Sequence, residues 1–221
     1  MTAMPRAARP PTPPGRPKDL EKRAAILEAA KLLFPERGYE GTSMDAIAQA
    51  AGVSKLTVYS HFQDKDTLFV EAVKAKCEDL LPSDLFLKRT AEPWERQLHR
   101  IAQAFFRLIN SDEAIAVARV LARQMSEDAH LPRLFWEAGP KRTQEALAGF
   151  LRAGVQSGAV DIPDCDLAAS QLCALLKGEH HARLMCGCQE RLDAEQERRH
   201  IEATVDLFLR AYGRRTAPAH A

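Results

Sequence analysis

Residues 43–62 read SMDAIAQAAGVSKLTVYSHF, two short segments of helical apolar spacing hinged at Gly52. Thr42, followed three residues later by Asp45, makes a capping-box pattern for the first segment, which begins at Thr42 or Ser43. Ile47, Ala48 and Ala51 supply its buried side. Gly52 closes it, where a residue free to take positive φ is wanted. Ser54 is a good N-cap for the second segment, which runs to Phe62. Ala48 is small where the two helices cross closely, and Ile47, Val53, Val58 and Phe62 fill the inside of the angle. Lys55, Leu56, Thr57, Ser60 and His61 are left on the outward face of the second helix, with Tyr59 beside it. That is a helix-turn-helix, whose second helix enters the major groove of a duplex. A helical hairpin buried in a core has no need to expose Lys, Thr, Tyr, Ser and His together on one short helix.

The flanking sequence is helical on both sides. Ile26, Leu27, Ala30, Leu33 and Phe34 recur at helical spacing, which predicts a helix from about Asp19 to Phe34, ended by Pro35 with Gly38 confirming the stop. Asp64 caps a fourth helix whose apolar face holds Leu68, Phe69 and Val73, limited by Pro82. After Pro93 the helices lengthen. Trp94, Leu98, Ile101, Phe105 and Leu108 mark one, and Ile115, Ala118, Leu121 and Met125 the next. Three more are predicted over about Lys141–Gln156, Asp166–Cys186 and Ala194–Tyr212. No stretch alternates with strand composition. The expected fold is all-α with about nine helices. It divides into a basic Pro-rich arm (1–17), a helix-turn-helix domain (18–64), a larger helical domain (65–213) and a disordered tail (214–221).

Composition agrees: 46% hydrophobic and 28% charged residues describe a globular chain, and no apolar run approaches the length of a membrane span. Together with an N-terminus lacking an apolar leader, this predicts a cytoplasmic location. Five cysteines, Cys77, Cys165, Cys173, Cys186 and Cys188, form no disulfide framework and are expected as free thiols. The formal net charge is only +1, yet residues 1–18 hold Arg6, Arg9, Arg16 and Lys18 and no acid, so positive charge is concentrated at one end. Nucleophile elbow, phosphate loop and paired catalytic carboxylates are all missing from the sequence, which argues against an enzyme. His180, His181, Cys186 and Cys188 fall in HHARLMCGC, but adjacent histidines point different ways on a helix and the spacing fits no strong zinc pattern. Neither a cofactor nor a metal is expected.

The stretch ILEAAKLLFPERGYEGTSMDAIAQAAGVSKLTVYSHFQDKDTLFVEAV resembles the DNA-binding domain of tetracycline-repressor (TetR/AcrR) family regulators over nearly its whole length. The resemblance implies Lys55, Leu56, Thr57, Ser60 and His61 near base edges. It implies Thr42, Tyr59 and Lys65 as phosphate contacts, with Ser43 beside them on the DNA-binding face. The chemistry fits, because hydroxyl donors and a lysine near a helix start suit phosphates. A Thr methyl suits thymine, and Lys or His donors suit guanine. Arg119 to Gly178, including LARQMSEDAHLPRLFWEAGPKRTQEALAGFL, is similar to the C-terminal domain of the AefR-like branch. That likeness implies an effector cavity and a homodimer built on the last two long helices. Expected cavity residues are Phe105, Phe106, Arg119, Arg123, Gln124, Trp136 and His180. The expected dimer stripe is Leu172, Leu175, Leu176, Ile201, Val205, Phe208, Leu209 and Tyr212, the alternative being burial of these residues within one subunit. Altogether the reading is a ligand-responsive repressor that binds a palindromic operator as a dimer and is released by a small, mostly apolar effector.

Overall fold

A computed structural model describes residues 16–87, 92–124, 130–188 and 191–213. They form α1 (Arg16–Gly41), α2 (Met44–Ala50), α3 (Lys55–His61), α4 (Lys65–Leu80), α5 (Asp84–Leu87), α6 (Trp94–Ile109), α7 (Asp112–Gln124), α8 (His130–Ala138), α9 (Pro140–Ser157), α10 (Cys165–Cys186) and α11 (Ala194–Tyr212). Among the described residues the only β contact is an isolated bridge between Val160 and Gly213, so the class is all-α as expected. Eleven segments stand where about nine were expected. The additions are α5, a single turn, and α8, whose Pro132 lies in the first turn. There a missing N–H removes no intrahelical bond.

Proline also misled the reading of α1. Pro35 lies inside the helix, which forgoes one backbone hydrogen bond and breaks only at Gly38, with φ 73° and ψ 172°. At the other end Arg16 and Pro17, expected in the arm, begin α1, Pro17 again in a first turn. The arm before Arg16 and the tail 214–221 lie outside the described residues.

Two cores organise the chain. The first joins Ile26, Ala30, Leu33 and Phe34 of α1 to Ile47 and Ala48 of α2, Val58 and Phe62 around α3, and Leu68, Phe69 and Ala72 of α4. Leu121 of α7 and Leu131 of α8 belong to the same cluster, so this core runs past residue 64 into the larger half of the chain. The second core is built by α6, α9, α10 and α11 around Leu98, Leu151, Leu172, Leu176, Ile201, Val205 and Phe208.

That second core corrects the expected dimer stripe. Leu172, Leu176, Ile201, Val205 and Phe208 are 0–2% exposed within a single subunit. Leu209 and Tyr212 pack against the same cluster, and Tyr212 donates to Gln171 at 2.7 Å. Of the eight residues only Leu175 is substantially exposed. The most apolar stripe of each helix satisfied its own subunit first. No helix among the described residues is long and apolar enough to cross a membrane.

In the second core Trp94 stacks on Phe150 with centroids 5.0 Å apart. The indole fits because position 154 lacks a side chain, and a Cβ there would lie 2.6 Å from its Nε1. Gly154→Ala should therefore destabilise the fold by roughly 1–3 kcal/mol through overpacking, against the few tenths that a helical Gly→Ala change normally gains. Urea unfolding followed by tryptophan fluorescence checks this, and an unchanged midpoint would show that the indole moves aside at no cost.

Candidate nucleic-acid interface and ligand cavity

The helix-turn-helix is assembled from caps and one turn. Ser43 caps α2, its Oγ accepting from Ala46 N at 3.1 Å. Ser54 caps α3, accepting from Thr57 N at 3.1 Å. Between them Gly52 takes φ +66°, a value that costs an L side chain about 1–2 kcal/mol. Val58 is fully buried and Phe62 nearly so, which pins the inner side of α3 and turns the opposite side to solvent.

On that outer side Leu56 is 80% exposed and Tyr59 42%. Lys55 is also exposed, but its ammonium pairs with the Asp45 carboxylate at 2.8 Å, and that hydrogen bond holds the Lys55 pKa above its ordinary value. Thr57 is partly exposed, with its hydroxyl 2.8 Å from Ser54 Oγ. Ser60 is exposed and donates to the Thr57 carbonyl at 2.7 Å.

Three expected DNA contacts sit differently. Thr42 is fully buried, and its hydroxyl serves the end of α1, donating to Gly38 O at 2.7 Å and Leu33 O at 3.1 Å. Ser43, not Thr42, is the residue that caps α2 at the surface. His61 turns inward, with 11% of its side chain accessible and Nε2 3.2 Å from the Asp19 carboxylate of α1. The cause is position: His61 is the last residue of a seven-residue helix and lies beside the buried Phe62. Lys65 reaches back over the Tyr39 ring, 4.1 Å from its centroid, and donates to Tyr39 O at 3.0 Å. An ammonium has three donors, so this leaves two for a second acceptor.

Tyr39 anchors a connection that the sequence reading missed. Its hydroxyl donates to Asp66 at the start of α4, and the other Asp66 oxygen is 2.7 Å from His130 Nε2 of α8. The Tyr39 hydrogen bond, followed by His130, holds the Asp66 carboxyl below its ordinary pKa, while burial first and then Asp66 raise that of Tyr39. The end of α1, the start of α4 and the start of α8 are thus tied by one carboxylate.

Behind this tie lies a cavity of about 200 Å³ walled by α1, α4 and α6 to α10. Phe34, Phe69, Phe105 and Phe135 form much of its apolar lining. Of the expected pocket residues whose side chains are described, only Phe105 lines it. Phe106 packs into the second core against His180 and His200, and His180 leaves the cavity to its neighbour His181. Arg119 is spent on the carbonyls of Leu184 and Met185, which close α10. Trp136 is 45% exposed on the outer face of α8. The side chains of Arg123 and Gln124 lie outside the described residues. Cys77 and Cys173 also line the cavity, and burial pushes both thiols up to about 11, far from the reactive thiolate. A sequence signal existed for part of this wall, since Cys173 and Lys177 stand at i and i+4 on α10. Helical spacing does not carry to His181, because the backbone breaks at Gly178 with φ 56° and ψ −169°. His180, His181, Cys186 and Cys188 do not converge, and Cys186 and Cys188 are exposed at the end of α10.

A short helix held outward by a two-helix angle, on an all-helical body with a cavity, is the architecture of a helix-turn-helix DNA-binding regulator. Comparison with known proteins gives the family. Residues 26–72 match the model for bacterial regulatory proteins of the tetR family. Residues 96–214, more than half of the chain, match that for the C-terminal domain of AefR-like transcriptional repressors. The chain belongs to the TetR family of transcription regulators, which are not enzymes. Among solved structures it is similar to a TetR-family regulator from Mesorhizobium loti, with 29% identity, a TM-score of 0.72 and coverage of 89% of this chain and 99% of that one. It is also similar to the flavonoid-responsive regulator FrrA, with 34% identity, a TM-score of 0.68 and coverage of 88% and 98%. The transcriptional activator FasR of Mycolicibacterium smegmatis is 35% identical over 96 residues, which span 43% of each chain.

The Tyr39–Asp66 bond makes a pH-dependent prediction. Asp66 has a lowered pKa in the folded state, so its contribution is present above the unfolded carboxylate pKa of about 4 and is lost as pH falls through the folded value. Tyr39→Phe should cost about 1 kcal/mol at neutral pH, a figure already discounted for the solvent exposure of Asp66. The deficit should shrink as Asp66 is protonated. Urea midpoints of both proteins across the acid range check this, and a deficit independent of pH would assign the effect to packing alone.

Proposed function

We propose that the chain is a ligand-responsive repressor that binds a palindromic operator as a homodimer and is released when a small, mostly aromatic effector fills the cavity. One observation carries this reading: the cavity walls include Phe34 of α1 and Phe69 of α4, residues of the core that positions α3. An effector there changes the equilibrium between reading-head geometries by its differential affinity for them, and by no more than that. The AefR-like repressor match and the flavonoid-responsive relative both support it.

On DNA, Tyr59, Ser43 and Lys65 hold phosphates, while Lys55, Leu56, Thr57 and Ser60 face base edges. Lys55 exchanges Asp45 for a base acceptor on binding. Thr42 and His61 act indirectly, Thr42 by fixing the end of α1 and His61 by packing α3 against it.

The dimer forms through the faces of α10 and α11 that the subunit core leaves open. Leu167 and Leu175 are 53% and 40% exposed on α10, and Leu207 is 54% exposed on α11. Exposed Ala174 and Ala203 beside them let helices approach closely. A four-helix contact of this kind sets the half-site spacing.

FasR, an activator, supports a second reading in which the same DNA contacts recruit rather than block transcription. A promoter reporter with and without the chain separates the two by the sign of its response.

Selection of bound sites from random duplexes should return an inverted repeat, with binding that weakens steeply as salt rises. Tyr59→Ala should weaken all sequences alike, whereas Lys55→Ala and Thr57→Ala should relax base preference by about 1–3 kcal/mol. Uniform weakening by Lys55→Ala in gel shifts removes it from base reading.

The double change Leu175→Glu with Leu207→Glu should halve the mass seen in sedimentation and abolish tight operator binding while keeping the helical spectrum. A dimer that survives it places the interface elsewhere.

A further inference from the structure

The polar end of the cavity has a defined hydrogen-bonding pattern. Asn110 is buried, and its Nδ2 donates to the Phe106 carbonyl at 3.0 Å. Its Oδ1 therefore faces His181 Nδ1, 3.2 Å away. An amide oxygen only accepts, so the ring hydrogen of His181 sits on Nδ1. Burial, then the nearby Lys177 and His180, hold the His181 pKa below its ordinary value and keep the ring neutral. A neutral imidazole with hydrogen on Nδ1 carries a lone pair on Nε2, which is the nitrogen His181 has left for the cavity it lines.

Four residues earlier, on the other side of the break in α10 at Gly178 (φ 56°, ψ −169°), Lys177 lines the same cavity. It differs from the other two lysines there. Lys31 is paired with Glu28 and Asp79, and Lys76 with Glu113 at 3.0 Å. Lys177 has no ion pair among the described residues. The lining therefore includes an acceptor lone pair, a cation with no ion pair among the described residues, and four phenylalanines.

On the reading that this cavity is an effector site, we propose that it recognises a phenolic hydroxyl, whose O–H donates to His181 Nε2 while its oxygen accepts from the Lys177 ammonium. A carboxylate satisfies the lysine but turns lone pairs toward Nε2. A plain hydrocarbon leaves both groups unpaired. The aromatic ring belongs against Phe34, Phe69, Phe105 and Phe135, and a cavity of about 200 Å³ suits a compact one- or two-ring body.

The test uses three probes of one shape, 2-naphthol, naphthalene and 2-naphthoate, titrated calorimetrically into the full chain at neutral pH. 2-Naphthol should bind about tenfold more tightly than naphthalene, as expected for hydrogen bonds that include a charged donor. His181→Phe and Lys177→Met should each remove most of that advantage, read as the ratio of 2-naphthol to naphthalene affinity in the same variant. Should His181→Phe fail to fold, Lys177→Met alone decides, since that side chain is at the surface. Equal binding of 2-naphthol and naphthalene by the unaltered chain, or tightest binding of 2-naphthoate, overturns the hydroxyl assignment and leaves the effector cavity standing. If none of the three binds or raises the melting temperature, the effector reading of this cavity falls, and the phenol proposal with it.

Discussion

A helix of seven residues cannot hold its shape in water by its own hydrogen bonds, because nucleation costs more than two turns return. α3 is such a helix, so its existence and its direction come from what grips its inner side. Val58 and Phe62 are driven into the first core beside Ile26, Ile47 and Leu68. Ser54 satisfies an N-terminal amide that would otherwise be unpaired at the helix start. What remains of α3 faces outward because nothing else can be buried. Leu56, 80% exposed, is therefore left on the outer side among polar neighbours.

The same constraint explains why the first core does not close on itself. Three short helices bury too little apolar surface to be secure alone, and the cluster recruits α4, Leu121 of α7 and Leu131 of α8. Arg23 of α1 adds a contact over the Phe62 ring at 5.0 Å and a bond to Glu71 of α4 at 3.1 Å. The grip on α3 is thus shared with elements that also wall the cavity. The helix-turn-helix and the cavity walls are separate in sequence and continuous in packing.

How much of this was legible in the sequence depended on how far each residue's role was set by its near neighbours. The turn at Gly52, the Ser54 cap and the buried Val58 follow from spacing within twenty residues, and the structure has each of them. Pro35 failed as a stop signal because a proline costs a helix one bond and a strain without forbidding it, and Phe34 beside it is buried against Phe69 in the first core. Thr42 and His61 looked like surface residues because their partners, Leu33 O, Gly38 O and Asp19, lie 4 to 42 positions away in the chain. Periodicity locates the stripes on α10 and α11 but not which one faces outward. With apolar residues on two faces of each helix, the choice depends on α6 and α9, and no local pattern encodes it. Pocket lining was the least legible, because a cavity is defined by what several helices together fail to fill.

Coupling between cavity and DNA face requires a part with two arrangements that both sites bias. The carboxylate of Asp66 sits where such a part must turn, at the first residues of α4, bonded to α1 through Tyr39 and to α8 through His130. Its neighbour Lys65 holds the Tyr39 carbonyl, and with the proposed phosphate contact the same lysine would stand between the end of α1 and the duplex. Phe34 and Phe69, five residues before Tyr39 and three after Asp66, stack edge to face 5.2 Å apart and line the cavity. A molecule pressed against those rings pushes on the two helices that the Tyr39–Asp66 bond ties together. By reciprocity, DNA that draws Lys65 away from Tyr39 alters the same wall. If the cavity and the DNA face are coupled as proposed, the contacts that join them are those of the α1–α4 joint, where the Tyr39–Asp66 bond and the Phe34–Phe69 pair meet.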